Sequence, residues 1–267
     1  DFDGLAFIKA VREAVIIGKN VVFYKAGRTP EGKSATSGHT ASLAGDYMVC
    51  ESCVRQAGGI VAQTFSQFED LLTLSQRLHN KKILGNRLAA VSGAGFEAVG
   101  IADNIQSDDF QLKMARFGLD TAESIRTMLR KKRLDTLVEV TNPLDINPGA
   151  DDEVHIETVR ALVQDQNVDA VVVGLDPLSP AMRTLAGDDS PLYSFDDPAS
   201  IARAMPEMIA TLDKPVIGVV DGGRLYDPLV DTLIEGGMVV FRSSDRAVYA
   251  LAMYMEGRLY AEKLKQE

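Results

Sequence analysis

Residues 27–34, Gly-Arg-Thr-Pro-Glu-Gly-Lys-Ser, have the G-x-x-x-x-G-K-[ST] spacing of a phosphate-binding loop. Five residues further on, a lone histidine, His39, stands in a run of small residues, Ser-Ala-Thr-Ser-Gly-His-Thr-Ala-Ser. Both patterns handle phosphoryl groups, by different chemistry. A glycine loop surrounds phosphates with backbone N–H groups at a helix N-terminus, and its lysine adds positive charge. An imidazole near neutral pH is a nucleophile that carries the phosphoryl group itself.

The loop reading needs a strand before it and a helix starting at its Gly-Lys-Ser. The apolar run at 20–26 supplies the strand. The helix is the weak part: Gly38 and Gly45 interrupt it, serines and threonines compete for the backbone, and no large apolar residue occurs between Lys33 and Leu43. The run 216–221 ends in Asp221 and imitates the acidic strand of nucleotide hydrolases, but apolar strands ending in Asp are common. On this reading 27–34 is a lead-in to the histidine loop and Lys33 an ordinary loop residue. The alternative is a P-loop NTPase that binds ATP through Lys33.

A helix is expected directly after His39, with Thr40 or Ser42 as N-cap and Leu43, Tyr47, Cys50 and Val54 on one face. The positive end of a helix favours an anion, so Gly38, Thr40, Ala41 and Ser42 are the expected phosphate-holding residues around His39. A loop histidine without a role is the other reading of the same residues. His79, beside Lys81 and Lys82, reads as a surface residue, and His155 as a solvated or half-buried helix position.

A second turn of the same kind follows the run 86–92: Ser92-Gly93-Ala94-Gly95, then an apolar helix. Gly93 and Gly95 permit a tight turn and close backbone approach at that helix's start. It reads either as a plain glycine-rich turn or, together with the first, as one of two helix N-termini aimed at a phosphohistidine. Lys25 and Arg28, at the end of the first strand, are accessory candidates for an anion or simply a solvated basic turn.

The elements that must position these residues alternate. Strands are expected at 20–26, 59–63, 86–92, 110–115, 135–142, 168–176, 214–223 and 238–244. Helices are expected at 4–18, 41–57, 65–80, 94–106, 120–133, 151–166, 198–212, 225–236 and 244–264. Near-continuous apolar strands between amphipathic helices predict an α/β fold with parallel sheets covered on both faces. The basic, polar stretch 79–86 is the expected boundary between regions 1–83 and 86–267. The first region has two convincing strands and reads as the back part of a domain that opens upstream; residues 187–198 read as a polar surface loop.

Composition narrows the function. The 267 residues are 46% apolar, enough for one large or two small cores. Acidic residues outnumber basic ones by 38 to 28, which disfavours nucleic acid and anionic membrane as partners. No apolar run is long enough to span a bilayer, and the start has no signal-peptide pattern and no initiator Met. Cys50 and Cys53, the only cysteines, lie within a predicted helix and read as packing residues, not as a zinc or redox site.

The strings "KAGRTPEGKSATSGHTASLAGDY" and "RQAGGIVAQTFSQFEDLL" resemble the phosphohistidine region of NDP-forming acyl-CoA synthetases, which include the ADP-forming acetate–CoA ligases of the succinyl-CoA synthetase superfamily. That family shows K-x-G-R-[ST], a S-H-T-[GA]-[SA]-[LI]-A-G loop and a R-Q-[AS]-G turn. "NRLAAVSGAGFEAVGIADN" and "TNPLDI" resemble its following flavodoxin-like domain, with Asn142 and Asp145 in the second string. Two departures stand out: Gly38 directly before His39, and S-G-A-G-F-E where N-A-G-G-P-G is commoner.

The resemblance covers essentially the whole chain. It implies flavodoxin-like domains, the first incomplete, and conversion of acyl-CoA, ADP and phosphate to the free acid, CoA and ATP. His39 takes the phosphoryl group, and the helices starting near Thr40 and at Gly93-Ala94-Gly95 hold it. CoA, ADP or ATP and Mg²⁺ are implied as substrates, with no tightly bound cofactor and no metal site. A CoA-binding Rossmann domain, an ATP-grasp domain or subunit, an oligomer and a cytoplasmic setting are implied as well. The chain is then the central part of a longer ligase, inactive alone. A noncatalytic acyl-CoA-sensing or scaffold module is the alternative in a different class.

Overall fold

The computed structural model describes residues 3–40, 45–107, 110–187 and 191–266, with the backbone alone for 36–40 and 191. The chain divides into two compact units, Asp1–His79 with Met253–Glu267, and Asn80–Ala252. Among the described residues no helix is long and apolar enough to cross a membrane.

The first unit contains α1 (Gly4–Ile16), β1 (Val22–Tyr24), α2 (Pro30–Thr40), α3 (Tyr47–Gln56), β2 (Ile60–Ala62) and α4 (Phe65–Arg77). β1 and β2 pair in parallel, Val22 opposite Ile60. Helix starts follow side-chain caps: Asp3 accepts from the Ala6 N–H, Asp46 from Val49 and Thr64 from Gln67. Tyr24, at the end of β1, packs its ring 4.6 Å from that of Phe65 on α4, which anchors the strand before the lead-in loop. The last part of α10 (Ser244–Leu264) belongs to this unit. Leu264 joins Val11, Val15 and Ala57 in one cluster, and Gly257 lies against Ile60. The sequence reading put 253–267 with the second region, because helical periodicity does not say which core a helix face meets.

Gly58 joins α3 to β2 at φ +93°, where a Cβ would lie 2.7 Å from Val15 and 2.9 Å from Leu264. Gly58→Ala combines left-handed strain with overpacking and is expected to destabilise this unit by about 2 kcal/mol. Thermal unfolding followed by circular dichroism checks this; an unchanged melting temperature contradicts the packing.

α2 was not expected. It forms because its start signals outweigh its glycines: Thr29 caps it, Pro30 fills the first position and Glu31 lies in the first turn.

The second unit contains β3 (Arg87–Ser92), α5 (Gly95–Asp103), β4 (Lys113–Met114), α6 (Leu119–Lys131), β5 (Leu144–Asp145) and α7 (Asp152–Gln164). There follow β6 (Ala170–Gly174), α8 (Ile201–Ala210), β7 (Val216–Val219), α9 (Asp227–Glu235), β8 (Val239–Phe241) and the beginning of α10. The six strands form one parallel sheet in the order β4-β3-β6-β7-β8, and β5 also pairs with β3. β6 is buried at all five residues, as a central parallel strand covered on both faces must be. Asp152, buried, accepts from the Ile201 N–H at 2.6 Å and so ties α7 to the start of α8.

The expected strand at 135–142 does not form. Val138 and Val140 are buried, but the backbone pairs with β3 only at Leu144 and Asp145. Between β4 and β5 the side-chain amide of Asn142 supplies what a strand would. It donates to the Leu88 and Ala115 carbonyls at 2.8 and 2.9 Å and accepts from the Ala90 N–H at 3.0 Å. Within the expected loop at 187–198, Phe195 is buried in the core and its carbonyl accepts from the Ser200 hydroxyl.

Candidate functional site

From β3 the chain goes to β4 on one side of the sheet and later returns to β6 on the other. The crevice at the carboxyl ends of β3 and β6 is therefore a topological switch point, the usual ligand position in open α/β sheets. Ser92, Gly93, Ala94 and Gly95 all lie there, in the strand-to-helix turn that the sequence predicts. α5 begins at Gly95, and its N-cap Ala94 offers no side-chain cap. Ser92 Oγ accepts from the Ala94 N–H at 3.0 Å and shapes the turn.

Glu97, in the first turn of α5, was not among the expected site residues. It accepts from the Ser92 hydroxyl at 2.7 Å. Its carboxyl fills the space beside Gly174 that any side chain there would occupy. Burial pushes this carboxyl up to about 7; the Ser92 hydrogen bond opposes the rise, and the charges of Asp176 and Asp221 add to it. The signal was in the sequence: S-G-A-G-F-E places an acid where the related turn has glycine.

His155 corrects the sequence reading. It is fully buried, not solvated, because α7 buries eight of its thirteen residues and His155 lies on that covered side. Its Nδ1 donates to the Asp151 carbonyl at 3.0 Å. Its Nε2 is buried without a partner and sits 3.3 Å from the Cβ position of Gly93. Burial lowers its basicity, so the ring is neutral and Nε2 is an acceptor at the turn.

The accessory candidates part ways. Asp145, exposed at the end of β5, lies at the turn, with Oδ2 2.5 Å from the Cβ position of Gly95. Its Oδ1 accepts from the Asn147 N–H. Asn142 is engaged with the backbone and not directed at a ligand. Asn142→Ala leaves the Ala90 N–H and the Ala115 carbonyl without this partner, removes one of two bonds to the Leu88 carbonyl, and is expected to cost about 3 kcal/mol. Urea unfolding measures this, and a loss below about 0.5 kcal/mol contradicts it.

In the first unit, the loop 25–29 runs from β1 to α2, with Gly27 at φ +85°. The helix that the sequence made doubtful is present, but it starts at Pro30, ahead of Gly32-Lys33-Ser34. Thr29 takes the amides a phosphate cradle needs: its Oγ1 accepts from Gly32 at 3.1 Å and its carbonyl accepts from Lys33 at 2.8 Å. The loop spacing is therefore not a nucleotide cradle. Lys25 donates to its neighbour's carbonyl, and Arg28 is exposed, with its charge felt at Tyr47.

Gly38, His39 and Thr40 end α2; they do not lie at a helix N-terminus. α3 begins only at Tyr47, because Asp46 is its cap. Amides of Gly38 and Thr40 at a helix's negative end do not favour an anion, which removes them from the expected cradle. Ala41 and Ser42, and the His39 side chain, lie outside the described residues. Cys50 and Cys53 are free thiols on α3, and burial pushes Cys50 up, away from reactivity. Among the described residues no group of three or more His, Cys, Asp or Glu is placed to hold a metal ion.

Comparison with known proteins sets relatives beside this geometry. The family described as "Succinyl-CoA ligase like flavodoxin domain" matches residues 2–75. The α subunit of ADP-forming acetate–CoA ligase II from Pyrococcus furiosus is 29% identical over 96% of this chain and 51% of its own length. A trans-feruloyl-CoA synthase of an unknown prokaryote is 26% identical over 92% of this chain and 32% of its own. A dinucleotide forming acetyl-coenzyme A synthetase 1 of Ca. Korarchaeum cryptofilum, solved with phosphate and ADP, superimposes with a TM-score of 0.79 at 22% identity. That structural match covers 98% of this chain and 52% of the other. The chain thus spans about half the length, or less, of these relatives.

Proposed function

We propose that this chain, similar over most of its length to subunits of NDP-forming acyl-CoA synthetases, forms part of such a ligase and so of an enzyme that interconverts acyl-CoA, ADP and phosphate with a carboxylic acid, CoA and ATP. The observation that carries the proposal is the family match over residues 2–75, within which His39 is the only histidine. His39 takes the phosphoryl group from an acyl phosphate and passes it to the nucleotide. The Ser92–Gly95 turn holds a phosphate oxyanion at the start of α5, where the uncapped helix end and close backbone favour one. Positioning and charge stabilisation supply most of the catalysis in such transfers.

The full protein draws on a CoA-binding domain and an ATP-grasp domain or subunit, assembled as an oligomer, with Mg²⁺ arriving on the nucleotide and the reaction set in the cytoplasm. The relatives' names span acetate and ferulate, so the acyl group is to be found by assay. Supplying the full-length protein and its ATP-grasp partner with a panel of acyl-CoAs, ADP and phosphate is expected to yield ATP with one of them. A second reading is a noncatalytic acyl-CoA-sensing module. The acidic lining of the turn, Glu97 with Asp176 and Asp221, favours it. Absence of ATP formation across the panel would select that reading.

A further inference from the structure

Glu97 sits where an anion is expected, and the two must be reconciled. The start of α5 is open to a ligand: it has no side-chain cap, and beneath it the buried Nε2 of His155, a lone-pair acceptor without a partner, abuts Gly93. Yet the carboxyl of Glu97 lies beside Gly174, within 2.7 Å of the Ser92 oxygen that shapes the same turn. An ionised carboxylate there repels an oxyanion. A protonated one is a hydrogen-bond donor with a free lone pair and no charge.

We propose that Glu97 is the specificity-determining residue of this turn: its carboxyl keeps a proton and donates it in a hydrogen bond to one oxygen of the bound oxyanion. Anion and proton then bind together. This rests on the reading of the Ser92–Gly95 turn as phosphate-holding. No covalent bond changes; one proton is taken from solvent whenever the carboxyl is ionised beforehand.

The groups facing Glu97 support that protonation state. Asp176 follows β6, Asp221 follows β7, and both charges oppose ionisation of Glu97. Asp145, from β5, lies across the turn at Gly95, and His155 on α7 is neutral beneath Gly93. Burial acts in the same direction, and the carboxyl titrates at about 7. A second negative charge in the crevice raises it further.

Sulfate is the probe, because its charge stays constant across the range in which phosphate itself titrates. Calorimetric titration of the full-length protein is expected to show sulfate affinity falling about tenfold per pH unit above pH ~7. Heats measured in two buffers of different ionisation enthalpy are expected to report uptake of one proton above that pH. Glu97→Gln, which keeps a donor and loses the titration, is expected to bind with a flat profile. If the Gln variant does not fold, Glu97→Ala serves, with weaker but pH-independent binding.

A flat profile in the parent, a retained slope in the variant, or no sulfate binding in either overturns the proposal. The phosphohistidine reading fails separately. A protein that labels His39 but binds sulfate without pH dependence loses only the role of Glu97. One that shows the slope but never labels His39 loses only the histidine's role.

Discussion

Glu97→Gln is expected to make the second unit more stable at pH ~8 than the parent, and to leave it nearly unchanged at pH ~5. The folded carboxyl titrates at about 7, raised from 4.5 by burial. A group raised on folding contributes fully below its unfolded value and loses that contribution as pH rises through its folded one. The parent therefore loses stability between about pH 4.5 and pH 8 that the Gln variant does not. The difference of about 2.5 units sets an upper limit on the order of 3 kcal/mol. The side chain is only half-buried, and solvent screening reduces that figure. Thermal melts of both proteins at the two pH values measure it. A difference between them that does not change with pH would show that Glu97 titrates normally.

His39→Ala is expected to abolish ATP formation by the full-length ligase, with a loss on the order of 10⁴-fold or more, as removal of a covalent nucleophile does elsewhere. Formation of acyl phosphate from acyl-CoA and phosphate precedes the histidine and is expected to persist. That split separates a phosphoryl carrier from a residue that merely supports folding, which would lower both steps together. Equal melting temperatures of variant and parent complete the comparison.

Much of the fold was legible because buried parallel strands are apolar at nearly every position. β3, β6 and β7 fall inside the runs that predicted them, and the helices between them follow their apolar periodicity. The run 135–142 shows where that signal fails. Val138 and Val140 alternate as in a strand and are buried as in a strand, but hydrogen bonding passes to the Asn142 side chain, and no pattern of hydrophobicity records that. α2 shows the opposite failure: its interior is poor helix material, and its caps decide it.

The site was half legible. The glycines of the 92–95 turn announced it, since close backbone approach needs them. Glu97 showed only as an acid in place of a glycine, and the importance of Glu97 and His155 comes from burial, which sequence gives least directly for single polar residues. Asn142 and Asp145 stand close together in sequence yet serve different ends, one bonded to sheet backbone and the other at the turn.

The central claim is that His39 carries phosphate, and it is open to one direct measurement. The full-length protein with its ATP-grasp partner is incubated with labelled ATP and Mg²⁺, then digested and mapped. The account predicts an acid-labile, base-stable phosphate on His39, absent from His39→Ala. Phosphate taken up by His39→Ala as well as by the parent, or mapped to another residue, would contradict it.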